Sequence, residues 1–173
     1  MKHSLFLETE HLLLSPLGEE QMEKLRTLRN RPENRNWFFD NTEISIERQK
    51  AWFASQQAAE GDYMFAVFPK QDPTLFWGTA ALYSYDRETG SYEVGRLLLD
   101  SRKTPFRGLG KELVAAVCRI GFENLDAKLL YAEVFAENER SIACFTGNGF
   151  AVAGTKELHG KNILILEKHY RIH

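Results

Sequence analysis
The segment DSRKTPFRGLGKEL, residues 100–113, holds the densest chemical signal in this 173-residue chain. Gly108 and Gly110 stand where an apolar run gives way to an amphipathic one, with Arg102, Lys103, Arg107 and Lys111 around the same turn. Backbone N–H groups at a helix start have no intrahelical acceptor, and the helix dipole adds about half a positive charge there, so the junction suits a phosphate or pyrophosphate. Glycine lets such a backbone approach its ligand closely. The same two glycines would equally serve a plain turn that caps a helix. Two well-known phosphate loops are excluded by counting. A Walker A loop needs glycine at Pro105 and Ser or Thr at Glu112, and a dinucleotide fingerprint needs a small residue at Leu113.

Metal chemistry has no comparable signal. The five histidines (His3, His11, His159, His169, His173) form no H-E-x-x-H, and Cys118 and Cys144 lack ligand spacing, so no metal is expected and both thiols read as reduced.

The elements that must position the glycine turn follow from periodicity. Leu5–Leu17 reads as a first strand closed by Pro16 and Gly18, and Glu19–Arg29 as an amphipathic helix through Met22, Leu25 and Leu28, ending before Pro32. A second helix starts near Ser45, with Ile46, Gln49, Trp52 and Phe53 on one face and Gly61 closing it. Tyr63–Phe68 and Leu75–Tyr85 are rich in β-formers, and Tyr92–Leu99 follows the Glu88-Thr89-Gly90 turn as a third strand of the same meander. Gly95 inside that strand implies a bulge or a close backbone approach. Gly108–Asn124 carries Leu109, Leu113, Val117 and Ile120 at helical spacing. Lys128–Phe135 is a strand, Asn138–Gly147 a short helix, and Phe150–Lys156 with Asn162–His169 a hairpin around His159-Gly160. The order gives an α/β protein with one mixed sheet, and the length gives a single domain over residues 1–173.

Composition narrows the class. With 43% hydrophobic and 27% charged residues there is material for a real core, and a net charge of −2 argues against a nucleic-acid binder. The N-terminal MKHSLFLETEHLLL has neither the form of a signal peptide nor that of an anchor, and no run of 18 apolar residues occurs, so no membrane association is expected and the cytoplasm is the default location. Exposed aromatic segments would permit a homodimer without requiring one.

Two blocks together resemble a known family. EVGRLLLD (93–100), a basic turn, then RGLGKELVAAVCRIGFENL (107–125) is similar to the strand, glycine turn (Arg/Gln-x-x-Gly-x-Gly/Ala) and long helix of the GCN5-related N-acetyltransferases (GNAT). YAEVFAENERSIACFTGNGF (131–150) resembles that family's second block, with Asn138, Ser141, Ile142, Gly149 and Phe150 in place. The resemblance covers about residues 5 to 170. It implies the GNAT fold, one twisted, mostly antiparallel sheet of about seven strands with about four helices, splayed at the cofactor site. It also implies transfer of an acetyl group from acetyl-coenzyme A to a primary amine by direct attack in a ternary complex. Two departures are visible: Pro105 stands at the first Arg/Gln of the glycine signature, and Phe145 stands where a tyrosine often protonates the departing thiolate.

The resemblance also implies site residues. Leu97, Leu98 and Leu99 would offer backbone groups to the pantetheine arm, and Phe106, Arg107, Gly108, Leu109, Gly110 and Lys111 would hold the pyrophosphate. Asn138, Ser141 and Phe145 would complete the coenzyme A site, although Asn138 equally suits a helix N-cap. Glu93 is the candidate general base, or else a solvated strand residue. Tyr83, Tyr85 and Tyr131 are unranked replacements for the missing acid. Arg29, Asn30, Arg35 and Trp37, with Tyr83, are candidate acceptor-binding residues, since basic and aromatic groups suit a nucleotide-linked acceptor; the same aromatics could simply fasten helices to the sheet. The segments LRN…R.WF and ISIERQKAWF resemble the branch acting on UDP-linked 4-amino sugars in pseudaminic acid biosynthesis. Ribosomal-protein-alanine and polyamine acetyltransferases share much of that frame. A non-catalytic coenzyme A-binding module and a purely structural role remain the alternatives from other classes.

Overall fold
Alternation and turn chemistry set the first strands of the structure, a computed structural model that describes residues 2–105 and 107–171. Where one strand was expected over Leu5–Leu17 there are two, β1 (Leu7–Glu8) and β2 (Leu12–Pro16), paired antiparallel with Leu7 opposite Leu14. The reason is the Thr9 turn: Thr9 N–H donates to the Leu12 carbonyl (2.8 Å), and its hydroxyl accepts from Leu12 N–H (3.0 Å). A side-chain oxygen that satisfies a nearby backbone donor competes with the strand ladder. β2 then pairs antiparallel with β3 (Tyr63–Pro69), burying Leu12, Leu14 and Phe65–Val67 completely.

Three helices follow β2. α1 (Met22–Asn30) buries Leu25 and Leu28. α2 (Pro32–Arg35) was not expected: Pro32 does not close a helix but opens one, because at the first helical position its missing N–H is an orphan anyway. α3 (Ile46–Ala58) is capped by Ser45 Oγ, which accepts from Arg48 N–H. Its buried face is the expected one only in part: Gln49 is buried as its place on that face implies, but Ile46 is exposed and Gln56, outside the expected face, is buried. Each amide finds a partner: Gln49 donates to the Met22 carbonyl (3.2 Å) and Gln56 to Asp62 (3.3 Å).

β4 (Gly78–Asp86) and β5 (Ser91–Leu99) continue the sheet, followed by α4 (Leu109–Arg119), whose last turn widens into a π-helical segment over Ile120–Asn124. The expected stripe Leu109, Leu113, Val117 and Ile120 is buried. β6 (Leu129–Phe135), α5 (Glu139–Thr146), β7 (Ala151–Leu158) and β8 (Lys161–His169) complete the chain. The β7–β8 turn puts His159 and Gly160 at φ 50° and 77°, the two left-handed residues a tight hairpin requires. Eight strands lie in the order β1-β2-β3-β4-β5-β6-β8-β7, with β5 and β6 parallel. No helix among the described residues is long and apolar enough to cross a membrane. The chain divides into two units, Met1–Ala81 with Arg96–Pro105 and Leu82–Gly95 with Phe106–His173.

One ion pair in the first unit is placed where it must matter. Arg31 Nη1 donates to Asp100 Oδ1 at 2.7 Å, and the Asp100 side chain is only 4% exposed. The same oxygen accepts from Arg102 N–H (3.0 Å), while the Asp100 carbonyl accepts from Lys103 and Thr104 N–H, so this aspartate folds the turn that follows β5. Burial pushes its carboxyl up, but the bonds from Arg31 and Arg102 N–H and the charges of Arg31 and Lys103 outweigh that and hold it below its ordinary value. Arg31→Met leaves a buried unpaired charge and is expected to cost about 3–5 kcal/mol in urea unfolding at pH 7. A depressed folded-state value gives stability that is present above the unfolded carboxyl value of about 3.9 and lost as pH falls through the folded one. The gap between wild type and variant should therefore narrow below about pH 4, where protonation removes the same pairing.

Candidate active site
The second unit gathers Tyr83, Glu93, Arg107–Lys111, Asn138, Ser141 and Phe145; the first holds Leu97–Leu99 and the acceptor candidates Arg29, Asn30, Arg35 and Trp37. Phe106 lies outside the described residues.

Glu93 is the centre of the second unit's polar cluster. The Tyr83 hydroxyl on β4 donates to Glu93 Oε2, and Tyr131 stands opposite Glu93 in the parallel β5–β6 register. The β5–β6 ladder covers Ser91–Glu93 against Leu129–Tyr131 and ends at that pair. Val94 and Gly95 carry β5 onward without a β6 partner, which leaves strand backbone open to another hydrogen-bonding group. Gly95 does mark a close approach, as its sequence position implied: a Cβ there would overlap the Tyr83 hydroxyl. The next residue, Arg96, is left-handed at φ 50°. Of the three tyrosines left unranked, Tyr85 stacks on Tyr92 (4.7 Å between centroids), Tyr83 donates to Glu93, and Tyr131 stands opposite Glu93 on β6.

The glycine turn has two different reasons for its glycines. Gly108 is the residue before α4 at φ 90°, a conformation L side chains avoid, and a Cβ there would meet nothing within 4 Å. Gly110 lies inside α4, where a Cβ would come within 3.0 Å of Cys144 Sγ, so it serves helix packing. The first N–H groups of α4, Leu109 to Lys111, have no acceptor within the helix, and Arg107 is exposed beside them. Open space, free donors and a positive helix end fit the diphosphate of coenzyme A.

Asn138 caps α5, its Oδ1 accepting from Ser141 N–H (3.2 Å). The cap uses only the carbonyl oxygen and leaves the amide –NH2 without a partner among the described residues, so capping and ligand binding remain compatible. Phe145 is 2% exposed and packs edge-on against Phe150 at 5.0 Å.

In the first unit, Arg96 grips Asp62 through both nitrogens (2.8 and 3.0 Å) and lies over Trp52. Asp40 accepts from Arg48 and Thr42, which hold its carboxyl far below the usual range. Asn30 uses both ends of its amide on the Ile44 backbone (2.9 and 2.8 Å), fixing the 36–45 segment to α1. Arg29 lies 4.4 Å from the Phe38 ring centre and has no hydrogen-bonded carboxylate among the described residues. Trp37 is 48% exposed and Arg35 half-buried.

A family model described as an acetyltransferase (GNAT) domain matches residues 11–151. The chain is a GNAT acetyltransferase. It is similar to the spermine/spermidine N(1)-acetyltransferase of Bacillus subtilis (strain 168), 22% identical over 142 residues, 78% of this chain and 85% of that one. In fold it is similar to the Vibrio cholerae spermidine N-acetyltransferase solved with CoA and spermine, with TM-score 0.81, 17% identity, and 93% and 96% of the two chains covered. The ribosomal-protein-S5-alanine acetyltransferase of Vibrio fischeri superposes with TM-score 0.77 at 17% identity, over 96% and 97%. This GNAT enzyme therefore uses acetyl-coenzyme A as co-substrate and transfers its acetyl group to an amine. The sequence reading missed the left-handed Ser84 and the Arg96–Asp62 pair. Ser84 had no signal, because its left-handed φ of 54° is rare for serine.

Proposed function
We propose that this GNAT enzyme, with residues 1–173 as one cytoplasmic catalytic domain, acetylates a small primary amine that also bears negative charge, a nucleotide-linked amino sugar being the class its sequence resembles. The observation that carries the acceptor class is Arg29. Asp40, Asp62 and Asp100 are each matched to an arginine, whereas Arg29 is half-buried over an aromatic ring with no carboxylate bonded to it among the described residues. Burial pulls its guanidinium below the ordinary value, Asp40 opposes that, and Arg48 and Arg96 reinforce it; an arginine still stays charged. Such a cation would repel a polyamine and accept a phosphate or carboxylate bidentately.

Acetyl-coenzyme A supplies the acetyl thioester. The chain's own groups do the rest: α4's first N–H groups and Arg107 hold the diphosphate, the open backbone at Val94 and Gly95 aligns the arm, and Glu93 takes the proton the amine gives up on attack. With Phe145 at the usual tyrosine position, the thiolate leaves unaided, as a thiol near pKa 8.5 allows at neutral pH.

A polyamine acceptor is the second reading, supported by the similarity to spermidine acetyltransferases. Thiol release from acetyl-coenzyme A with a UDP-linked 4-amino sugar and with spermidine separates the two. Arg29→Met is expected to raise KM for the anionic acceptor about tenfold or more with little change in kcat, the loss of one charge-assisted bond. Spermidine as the better substrate, improved by Arg29→Met, would overturn the reading.

A further inference from the structure
α4 begins without the support a helix start usually has. Its N-cap, Gly108, has no side chain to accept a backbone N–H, and Gly110 in the first turn is among the poorest helix formers. A capping oxygen would also work against the site, because it would occupy an N–H that the diphosphate needs. Glu112 N–H makes the first intrahelical bond, to the Gly108 carbonyl (3.1 Å), so nothing within α4 holds the N–H groups of Leu109, Gly110 and Lys111.

The hold comes from the carbonyl side. Asn148, just beyond the end of α5, donates through Nδ2 to the Lys111 carbonyl of α4 (3.0 Å) and to the Cys144 carbonyl of α5 (2.7 Å). An amide –NH2 carries two hydrogens, so one nitrogen makes both bonds, and a carbonyl oxygen has two lone pairs, so Lys111 keeps its place in the helix ladder. The second bond satisfies one of the last carbonyls of α5, which lack an intrahelical donor. The backbone fixes Asn148 in turn, its own N–H donating to the Phe145 carbonyl (2.9 Å). Two glycines let the helices come this close: a Cβ on Gly110 would lie 3.0 Å from Cys144 Sγ, and one on Gly147 would lie 3.1 Å from Lys111 Cε.

We propose that Asn148 is a positioning residue for coenzyme A: by gripping Lys111 through its carbonyl, it steadies the first turn of α4 and leaves the N–H groups of Leu109, Gly110 and Lys111 free for the diphosphate. This rests on the reading that those groups hold the diphosphate. The grip also ties the glycine turn to the helix that Asn138 caps at its other end, and so fixes the turn relative to the second expected coenzyme A contact.

Coenzyme A and pantetheine, which has the same arm without the diphosphate, separate this role from a merely structural one. Asn148→Ala should weaken coenzyme A in calorimetry by about fivefold, the effect of losing one neutral hydrogen bond, and leave pantetheine, titrated by NMR, within about twofold. Asn148→Leu, which keeps the volume and removes both donors, should do the same and serves if the alanine variant does not fold. Thr146→Ala loses a bond at the same helix end, to the Ala143 carbonyl (3.5 Å), that does not reach α4, and should bind both ligands as the wild type does. Coenzyme A affinity unchanged in both Asn148 variants overturns the proposal, and so does an equal loss for both ligands, which would mean a general loosening of the fold. The underlying reading has its own readout in the wild type: the nitrogen-15 NMR signals of the Leu109, Gly110 and Lys111 amides should shift with coenzyme A and not with pantetheine. Signals that stay in place while coenzyme A binds would overturn the diphosphate reading, and the role of Asn148 with it.

Discussion
Glu93→Gln is expected to lower kcat by about 10²- to 10⁴-fold, the range for removing a positioned general base, while acetyl-coenzyme A binding by calorimetry stays within about threefold. Gln keeps the shape, and its amide oxygen can still accept the Tyr83 hydroxyl, so the link between β4 and β5 is retained. What it loses is an atom that can take a proton. Attack of an amine on a thioester forms the C–N bond and leaves the nitrogen cationic, so one of its protons must be shed before the product is neutral, and without Glu93 that proton goes to water or hydroxide. The variant's rate should therefore keep rising with pH where the wild type has reached its plateau. Unchanged kcat and an unchanged profile would remove Glu93 from the chemistry and leave it as a structural partner of Tyr83.

How far the sequence carries depends on whether local chemistry or distant packing decides. α4 was legible because Leu109, Leu113, Val117 and Ile120 repeat at helical spacing and all four are buried, so pattern and packing agree. The His159-Gly160 turn was legible because two left-handed residues leave few choices. The β1–β2 hairpin was not, because the Thr9 hydroxyl that makes it looks like any strand threonine. Nor was all of the buried face of α3: Gln49 was placed on it, but Gln56 is tolerated inside only because Asp62 lies opposite, a contact that no periodicity encodes. The site divides the same way. Gly108 announces its left-handed turn by being glycine, whereas Gly95 could have signalled a bulge, a ligand or a neighbour. The neighbour is the Tyr83 hydroxyl, which also bonds Glu93, and the left-handed Ser84 beside it is announced by no local pattern.

Gly78→Ala should be the most destabilising alanine substitution among the glycines, a loss of at least about 4 kcal/mol in urea unfolding or no folded protein at all. A Cβ on Gly78 would overlap the Leu98 carbonyl oxygen and lie 3.1 Å from Leu99 Cα, and both are backbone, so no side chain can swing away. Nor can the strands separate cheaply. Trp77 N–H donates to Val67 O (2.8 Å), Asp100 N–H to Trp77 O (2.7 Å), and Thr79 Oγ1 to Arg96 O (2.8 Å), which pins both sides of the contact. The controls isolate the cause. At Gly160 an added Cβ meets nothing within 4 Å, and the cost should be only the roughly 1–2 kcal/mol of a left-handed φ; at Gly154 it meets Ile165 at an ordinary 3.8 Å. Leu98 is also one of the residues whose backbone is expected to meet the pantetheine arm, so any Gly78→Ala protein that folds should bind acetyl-coenzyme A more weakly, while Gly160→Ala should bind it normally. A stable Gly78→Ala variant with normal binding would mean that β4 and β5 can move apart at this point without disturbing the cofactor strand, and that the spacing set by Gly78 does not position Leu98 for the cofactor.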